Sequence, residues 1–313
     1  MNTCPITYHP CGEDIYSPEG LKLLSPRLKA LLPFPMTAKE QRQASAAMAD
    51  KLSIQGVQSK MSARLDVAAE TFLPVAKNGQ YILKPQSDLF LQLPENEDLT
   101  MRLAALVGIE TPLHGLIYSH DRSLTYFIKR FDRQGRNTKF EVEDFSQLLG
   151  VPSDQKYQSS MERIAEIVER FCTNPQEEKI KLFRLTIFNF LVGNEDMHLK
   201  NFSLINRNAV IKLSPAYDLL NTTLALGGKD LEEIALSIAG KKRKLNQAIL
   251  IDYFGKQRLK LKEESIASTI NSFKNIQPQW AELLSISFMS QEMKNQYATL
   301  LQTRLQILNL NTK

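Results

Sequence analysis

The segment that decides the fold is Asp196-Met197-His198-Leu199-Lys200-Asn201, followed farther along the chain by Tyr217-Asp218. An aspartate five residues before an asparagine suits a loop that offers one polar group to a nucleophile and another to Mg²⁺. A second aspartate can complete the metal site, because hard cations prefer oxygen ligands. The pattern therefore predicts a metal site at Asn201 and Asp218, with Asp196 beside it.

Two short apolar runs, residues 202–205 and 210–213, separate the two halves of this pattern and flank the polar residues 206–208. This arrangement is typical of a β-hairpin. Since a hairpin returns the chain to its starting point, we expect Asn201 and Asp218 to lie side by side. Taken singly, Asp, His and Asn after a helix are commonly capping or turn residues. Their joint position after a long apolar helix favours a catalytic role over capping or turn formation.

The composition of the 313 residues is that of an ordinary globular protein, with 43% hydrophobic and 23% charged residues. The length suggests two domains or two lobes of one unit. A net charge of +5 is too small to indicate nucleic-acid binding without a motif. No apolar run approaches membrane-spanning length and no signal peptide is evident, so we expect a cytoplasmic protein.

The three cysteines, Cys4, Cys11 and Cys172, form no disulfide framework and suit a reducing compartment. A zinc site from Cys4, His9 and Cys11 is disfavoured, because the segment offers only three candidate ligands and the cysteine spacing exceeds that of the usual zinc pair.

The order of elements predicts an α+β fold with a small β-rich lobe over residues 1–130 and a larger, mainly helical lobe over residues 131–313. Residues 61–67 alternate apolar and polar, as in a half-buried strand. Asn78-Gly79 predicts a tight hairpin between residues 72–76 and 81–84. We also expect a helix over 95–107, strands over 113–118 and 124–128, and a peripheral, partly helical segment over the first fifty residues.

The second part of the chain shows helical periodicity. Residues 161–171 carry an apolar stripe, and residues 180–192 are apolar on nearly every face, as in a central buried helix. Residues 245–254, 265–273 and 291–310 predict scaffold helices. We expect the hinge between the lobes at residues 130–137.

Candidate phosphate-binding groups occur in the first lobe. Lys84 ends an apolar strand, where its ammonium group either enters a cleft or faces solvent, and Glu97 on the next helix could pair with it. Glu95 and Glu97 are also the acidic residues expected at a helix N-terminus. Residues 53–60 could fold over the phosphates, although their single glycine matches neither a P-loop nor a triple-glycine loop.

A further candidate follows the last strand of the first lobe. Asp132 could accept a ribose hydroxyl, or it could form a salt bridge with Arg130 or Arg133.

Taken in order, these pieces resemble the HipA-like serine/threonine kinases of bacterial toxin–antitoxin systems. The matching segments are Ser53-Ile54-Gln55-Gly56, Leu83-Lys84-Pro85, Arg130-Phe131-Asp132-Arg133, residues 143–150 (EDFSQLLG), residues 196–203 (DMHLKNFS) and Tyr217-Asp218. The resemblance implies a bilobal protein-kinase-like fold that uses ATP and Mg²⁺.

The resemblance also implies the roles of individual residues. The implied roles are catalytic for Asp196 (the base), His198 (bracing the loop) and Lys200, metal-binding for Asn201 and Asp218, and nucleotide-binding for Lys84, Lys129, Phe131, Asp132, Ser53, Gln55 and Gly56. Ser53 is the implied autophosphorylation site, with Ser59 as the alternative.

Within the family, the chain is most similar to the HipT toxins of tripartite HipBST systems, since it is expected to lack the N-terminal subdomain that precedes the HipA kinase core. The implied partners are a HipB-like helix-turn-helix antitoxin, a small HipS-like antitoxin and a protein substrate such as an aminoacyl-tRNA synthetase. Contact with DNA would be indirect, through an antitoxin. Two alternatives stay open: a catalytically silent kinase-fold binding module and a small-molecule kinase.

Overall fold

The computed structural model describes residues 2–49, 58–135, 138–227 and 232–311. Ser53, Gln55 and Gly56 lie outside these ranges. The chain forms two compact units. The first comprises Met1–Leu99, Pro112–Arg136 and Ile286–Met289, and the second comprises Thr100–Thr111, Asn137–Ser285 and Ser290–Lys313. The functional division at residue 130 stays a prediction.

The first unit contains the strands β1 (Asn2–Thr3), β2 (Pro10–Gly12), β3 (Met61–Asp66), β4 (Thr71–Pro74), β5 (Tyr81–Lys84), β6 (His114–Tyr118), β7 (Leu124–Lys129) and β8 (Arg133–Gln134). Five of them form an antiparallel sheet of order β4-β3-β5-β7-β6. Its helices are α1 (Pro18–Leu24), α2 (Ala38–Ala49) and the first half of α3 (Leu93–Leu106). The strand predicted from alternation over 61–67, the strands predicted over 113–118 and 124–128 and the helix predicted over 95–107 are confirmed.

The hairpin predicted around Asn78-Gly79 is wrong, because β3 lies between the two strands that flank this turn. The chain instead crosses β3 at Ser62 and Ala63, where the N–H of Gln80 donates to the carbonyl of Ala63 at 2.9 Å. A Cβ on Gly79 would lie 1.9 Å from Ser62 Oγ. The glycine thus serves the close approach to β3, which the local sequence does not distinguish from a hairpin turn.

The N-terminal segment is not peripheral, in contrast to the prediction. Cys4, Ile6 and Phe34 are buried in the same hydrophobic cluster as the sheet residues Phe72 and Phe127. Apolar side chains from this segment therefore complete the core of the first unit.

The second unit is mainly helical. Its helices after α3 are α4 (Phe145–Leu149), α5 (Met161–Phe171), α6 (Pro175–Val192), α7 (Thr222–Ala225), α8 (Glu263–Asn275), α9 (Gln277–Ile286) and α10 (Gln291–Ile307), with 3-10 turns at Ser153–Gln155 and Leu199–Asn201 and a π-helix at Ala248–Arg258. Its strands are β9 (Thr138–Lys139), β10 (Glu141–Asp144), β11 (Ser203–Arg207) and β12 (Val210–Leu213). Helix α9 was missed by the periodicity analysis. None of the described helices is long and apolar enough to cross a membrane.

The predicted hairpin near the catalytic motif is present as β11 and β12. Its turn consists of Asn208 and Ala209, both with positive φ (53° and 62°), as a two-residue hairpin turn requires. The turn is therefore shorter than the predicted 206–208. Strand β10 pairs with β11 to give a three-stranded sheet of order β10-β11-β12.

Candidate functional site

The candidate catalytic motif, residues 196–201, follows the end of the buried helix α6. Gly193 follows the helix in the left-handed region with φ 69°, and its N–H bonds back to the last turn. Asn194 is fully buried; its Nδ2 donates to Asn189 Oδ1 at 2.9 Å, and its Oδ1 accepts from the N–H of Asp196 at 3.2 Å. The backbone at Asp196 is therefore held in place by a hydrogen-bonded turn that is anchored to helix α6.

Helix α7 supports the same turn through two threonines. Thr222 Oγ1 accepts from the N–H of Glu195 at 2.6 Å, and Thr223 Oγ1 donates to Glu195 Oε1. Burial raises the pKa of Glu195. Sequence reasoning missed both threonines, since nothing in their local pattern distinguishes them from ordinary helix-start residues.

Asn201 and Asp196 are joined by a direct hydrogen bond. Asn201 Nδ2 donates to the carbonyl of Asp196 at 3.0 Å, and the 3-10 turn Leu199–Asn201 closes when the N–H of Asn201 bonds the carbonyl of His198 at 2.9 Å. With its nitrogen engaged in this bond, the amide keeps Oδ1 as the atom that could bind a metal. An oxygen donor oriented in this way fits Mg²⁺.

Tyr217 links the segment of Asp218 to that of Asn201. Its hydroxyl donates to the carbonyl of Lys200 at 2.9 Å and bonds Ser203 Oγ at 2.5 Å. Asp218 follows in the left-handed region with φ 54°, a strained conformation that aspartate tolerates better than most residues. The charge of Asp218 acts on His198, so the carboxylate lies near the loop that contains Asn201. Carboxylate oxygens are a ligand type that suits Mg²⁺.

His198 is a buried, uncharged side chain at neutral pH. Burial lowers its pKa and outweighs the carboxylates of Asp196 and Asp218, which raise it. Among the described residues, Nδ1 of His198 has no hydrogen-bond partner. The imidazole is therefore a neutral, buried ring within residues 196–201.

A mostly exposed segment over residues 153–157 contacts the candidate catalytic loop, residues 196–201. The sequence did not predict this contact. The Tyr157 hydroxyl donates to Asp196 Oδ1, and the Tyr157 ring meets the His198 ring edge-on with centroids 5.1 Å apart. Lys200 Nζ donates to Ser153 Oγ at 3.1 Å. Asp196 and Lys200, two of the side chains implied to be catalytic, thus already form hydrogen bonds within the protein.

In the first unit, Lys84 and Glu97 form a buried ion pair. Lys84 Nζ lies 2.6 Å from Glu97 Oε1, and the two side chains are 5% and 0% exposed. The Lys84 ammonium also lies 5.7 Å from the centroid of the Tyr126 ring. Of the two orientations that the sequence left open for Lys84, the structure shows the buried one.

The groups implied for adenine and ribose are partly engaged within the first unit. The N–H of Lys129 donates to the carbonyl of Leu113 at 2.7 Å, so a nucleotide contact at this amide would require that bond to open. Arg130 binds both carboxylate oxygens of Asp132, at 2.9 and 2.7 Å. Burial would raise the pKa of Asp132, but the hydrogen bonds and charge of Arg130 outweigh burial and lower it. The salt bridge considered as an alternative for Asp132 is present.

The described site residues fall into two groups. Asp196, His198, Lys200, Asn201 and Asp218 all lie in the second unit, where the charges of Asp196 and Asp218 both act on His198. The described residues implied for nucleotide binding lie in the first unit: Lys84, Lys129, Phe131 and Asp132. Ser59, also in that unit, is half-buried.

Comparison with known proteins identifies the family. The model of the HipA-like C-terminal domain matches residues 52–280. This chain belongs to the HipA-like C-terminal domain family. A Haemophilus influenzae protein that carries a provisional kinase name is 31% identical over 245 residues, which cover 71% of this chain and 69% of that protein. The serine/threonine-protein kinase toxin HipA of Shewanella oneidensis is 26% identical over 194 residues, 56% of this chain and 44% of the toxin.

Solved structures share the fold of this HipA-like domain. HipA in the Shewanella oneidensis complex of HipA, HipB and operator DNA matches 90% of this chain and 74% of its own, with a TM-score of 0.70 at 22% identity. The Helicobacter pylori proinflammatory kinase CtkA matches 73% of this chain and 87% of its own, with a TM-score of 0.52 at 14% identity. The predicted α+β, protein-kinase-like fold is confirmed.

Proposed function

We propose that this HipA-like chain is a Mg-ATP-dependent protein serine/threonine kinase. The observation that carries the proposal is the hydrogen bond from Asn201 to the carbonyl of Asp196, which joins a candidate base to a candidate metal ligand in one rigid turn. The names of its relatives support the reaction class, since both the Haemophilus protein and the Shewanella toxin are named as kinases.

In this proposal, each polar group has a distinct task. Asp196 accepts the proton of the acceptor hydroxyl, and Lys200 offsets charge beside it. Asn201 and Asp218 would hold Mg²⁺, which when bound neutralises phosphate charge. Lys84, oriented by Glu97, binds the phosphates. The main chain near Lys129 and Phe131 would meet adenine, and Asp132 would meet ribose if its salt bridge opened.

We assign the segment of Ser53, Gln55 and Gly56 to the phosphates and Ser53 to autophosphorylation. A phosphate on Ser53 adds close to two negative charges beside an anionic nucleotide, so it should weaken ATP binding and limit the enzyme's own activity. Ser59 is the alternative acceptor.

The biological role that we infer is that of a toxin in a bacterial toxin–antitoxin system. The relative whose complex contains HipB and operator DNA supports a HipB-like partner, with DNA contact through that partner. A small HipS-like antitoxin and a translation-related substrate, such as an aminoacyl-tRNA synthetase, complete the proposal. The curated Shewanella relative is more than twice as long as its matched region, so these partners are assigned to this chain by analogy.

The reaction can be tested by incubating the protein with γ-labelled ATP, Mg²⁺ and a bacterial lysate. We expect a labelled protein band, with phosphate on Ser53 in mass spectra, and neither product with Asp196→Asn. A labelled small metabolite would instead indicate a small-molecule kinase, and absence of any turnover would indicate a silent binding module. An active enzyme with unmodified Ser53 would refute the autophosphorylation site alone.

A further inference from the structure

Residues 153–157, which we call the gate segment, contact the catalytic loop at consecutive points. The contacts are Tyr157 OH to Asp196 Oδ1, the Tyr157 ring against the His198 ring, the N–H of Leu199 to the carbonyl of Lys156 at 3.2 Å, and Lys200 Nζ to Ser153 Oγ at 3.1 Å. All of these residues belong to the second compact unit. Two of these contacts therefore fall on polar groups that the proposed reaction would use, Asp196 and Lys200.

The bond between Tyr157 and Asp196 has the form of an enzyme–acceptor contact. A protein acceptor must present a hydroxyl whose proton points at the carboxylate base within hydrogen-bond reach. The Tyr157 hydroxyl makes this contact in the structure. Burial and the neighbouring carboxylate raise the pKa of Tyr157, so the phenol keeps its proton at neutral pH and donates it to the hydrogen bond.

Apart from these contacts, the gate segment is mostly exposed to solvent. Ser153, Asp154, Gln155 and Tyr157 are exposed, with Tyr157 at 39%. Opening would therefore give up little buried apolar surface, and segments of this kind open at low free-energy cost.

We propose that Tyr157 holds the place of the acceptor hydroxyl on Asp196, and that the acceptor must displace the gate segment to bind. The inference rests on the proposed kinase reaction and adds a specificity element to it. An acceptor that replaces the gate must supply a hydroxyl to Asp196 and a hydrogen-bond acceptor to Lys200. An extended serine or threonine peptide meets both requirements, through its side chain and its main-chain carbonyl groups.

The gate lowers apparent acceptor affinity, because only the open fraction of molecules is competent to bind. Tyr157→Phe deletes the hydroxyl and keeps the ring on His198, so it should enlarge that fraction. A hydrogen bond to a charged group is strong enough to change the dissociation constant about tenfold. The turnover number should not change, since Asp196 is the same base once the acceptor is bound.

The experiment uses a synthetic peptide with the sequence of residues 49–61, which contains Ser53 and Ser59, as the acceptor. Calorimetry with a non-hydrolysable ATP analogue and Mg²⁺ gives its dissociation constant for the wild type, Tyr157→Phe and Tyr253→Phe. Tyr253 is a matched control, because its hydroxyl also donates to a carboxylate, Glu162, at 3.2 Å. Transfer from ATP to the peptide then gives the turnover number.

We expect about tenfold tighter peptide binding by Tyr157→Phe alone, with an unchanged turnover number. Equal affinities, no peptide binding by any of the three proteins, or a lower turnover number at unchanged affinity would each overturn the gate. The last outcome would make Tyr157 a positioning residue for Asp196. Tighter peptide binding by Tyr157→Phe, with no phosphoryl transfer by the wild type, would instead reject the kinase reaction and leave a gate that controls only peptide binding at Asp196.

Discussion

Lys84 and Glu97 form an ion pair at 2.6 Å in which both side chains are almost completely removed from solvent. The pair ties the end of β5 to the first turns of α3. Removing two charges from water is costly, and well-packed apolar residues in their place are often at least as stable. A pair of this kind is therefore better explained by a role for the Lys84 ammonium than by stability.

Lys84→Met should leave Glu97 buried without its cation, which costs about 3 kcal/mol of folding free energy. The double variant Lys84→Met with Glu97→Gln should recover part of this loss, because the remaining amide carries no charge. ATP turnover should be abolished in both. Chemical denaturation and ATPase assays on the single and double variants separate the two effects. Recovery of turnover in the double variant would contradict a phosphate-binding role for Lys84.

The two aspartates of the second unit should behave differently on conversion to asparagine. Asp218→Asn should weaken Mg-ATP binding and abolish transfer, because a neutral amide cannot offset the charge of the metal. Asparagine also tolerates the left-handed backbone at this position (φ 54°), so folding should be preserved. Asp196→Asn should retain nucleotide binding and lose transfer. Calorimetry paired with transfer assays distinguishes them, and normal turnover by Asp218→Asn would refute the metal assignment.

Gly193→Ala should destabilise the protein and displace the turn of residues 193–196, which leads into the candidate catalytic loop. Its Cβ would lie 2.6 Å from Leu300 Cδ2 and 2.7 Å from Thr223 Oγ1, in addition to the strain of φ 69°. Gly150→Ala is the matched control, with φ 63° and no atom within 4 Å of the new Cβ. We expect about 1 kcal/mol for the control from backbone strain and a distinctly larger loss for Gly193→Ala. Equal losses of stability for the two variants in denaturant titrations would show that the close contacts with Leu300 and Thr223 add nothing to the cost of Gly193→Ala.

Glu95 should make stability fall as the pH rises. Burial raises its pKa from 4.5 to about 7, although hydrogen bonds from Gln86 Nε2 at 2.8 and 2.9 Å favour the carboxylate. The folded protein therefore keeps a proton that the unfolded chain releases. The resulting stabilisation is complete below pH 4.5 and is lost as the pH rises through 7, by up to about 3 kcal/mol.

Melting temperatures of the wild type and Glu95→Gln between pH 5 and 8 test this dependence, with the exposed Glu282→Gln as control. We expect the wild type and the control to lose stability over this range more steeply than Glu95→Gln, whose amide does not titrate. Parallel curves for all three proteins would contradict the burial explanation.

The local sequence was sufficient to predict helices and strands whose pattern of apolar and polar residues is visible within a few positions. Alternation predicted β3, an apolar run predicted α6, and the two short apolar segments after Asn201 predicted the β11–β12 hairpin. The polar groups of the candidate site were also recognised in this way, because Asp196 and Asn201 lie in one continuous loop and a hairpin returns the chain to Asp218.

Tertiary structure alone decided the contacts between residues far apart in the sequence. Pairing of β5 with β3 depends on which sheet edge is left open, and burial of Cys4 and Phe34 depends on the apolar surface that the sheet presents. Tyr157 and Asp196 are likewise separated by 38 intervening residues. Their hydrogen bond follows from the packing of an exposed segment against a turn. The local sequence around either residue therefore does not predict its contact with the other.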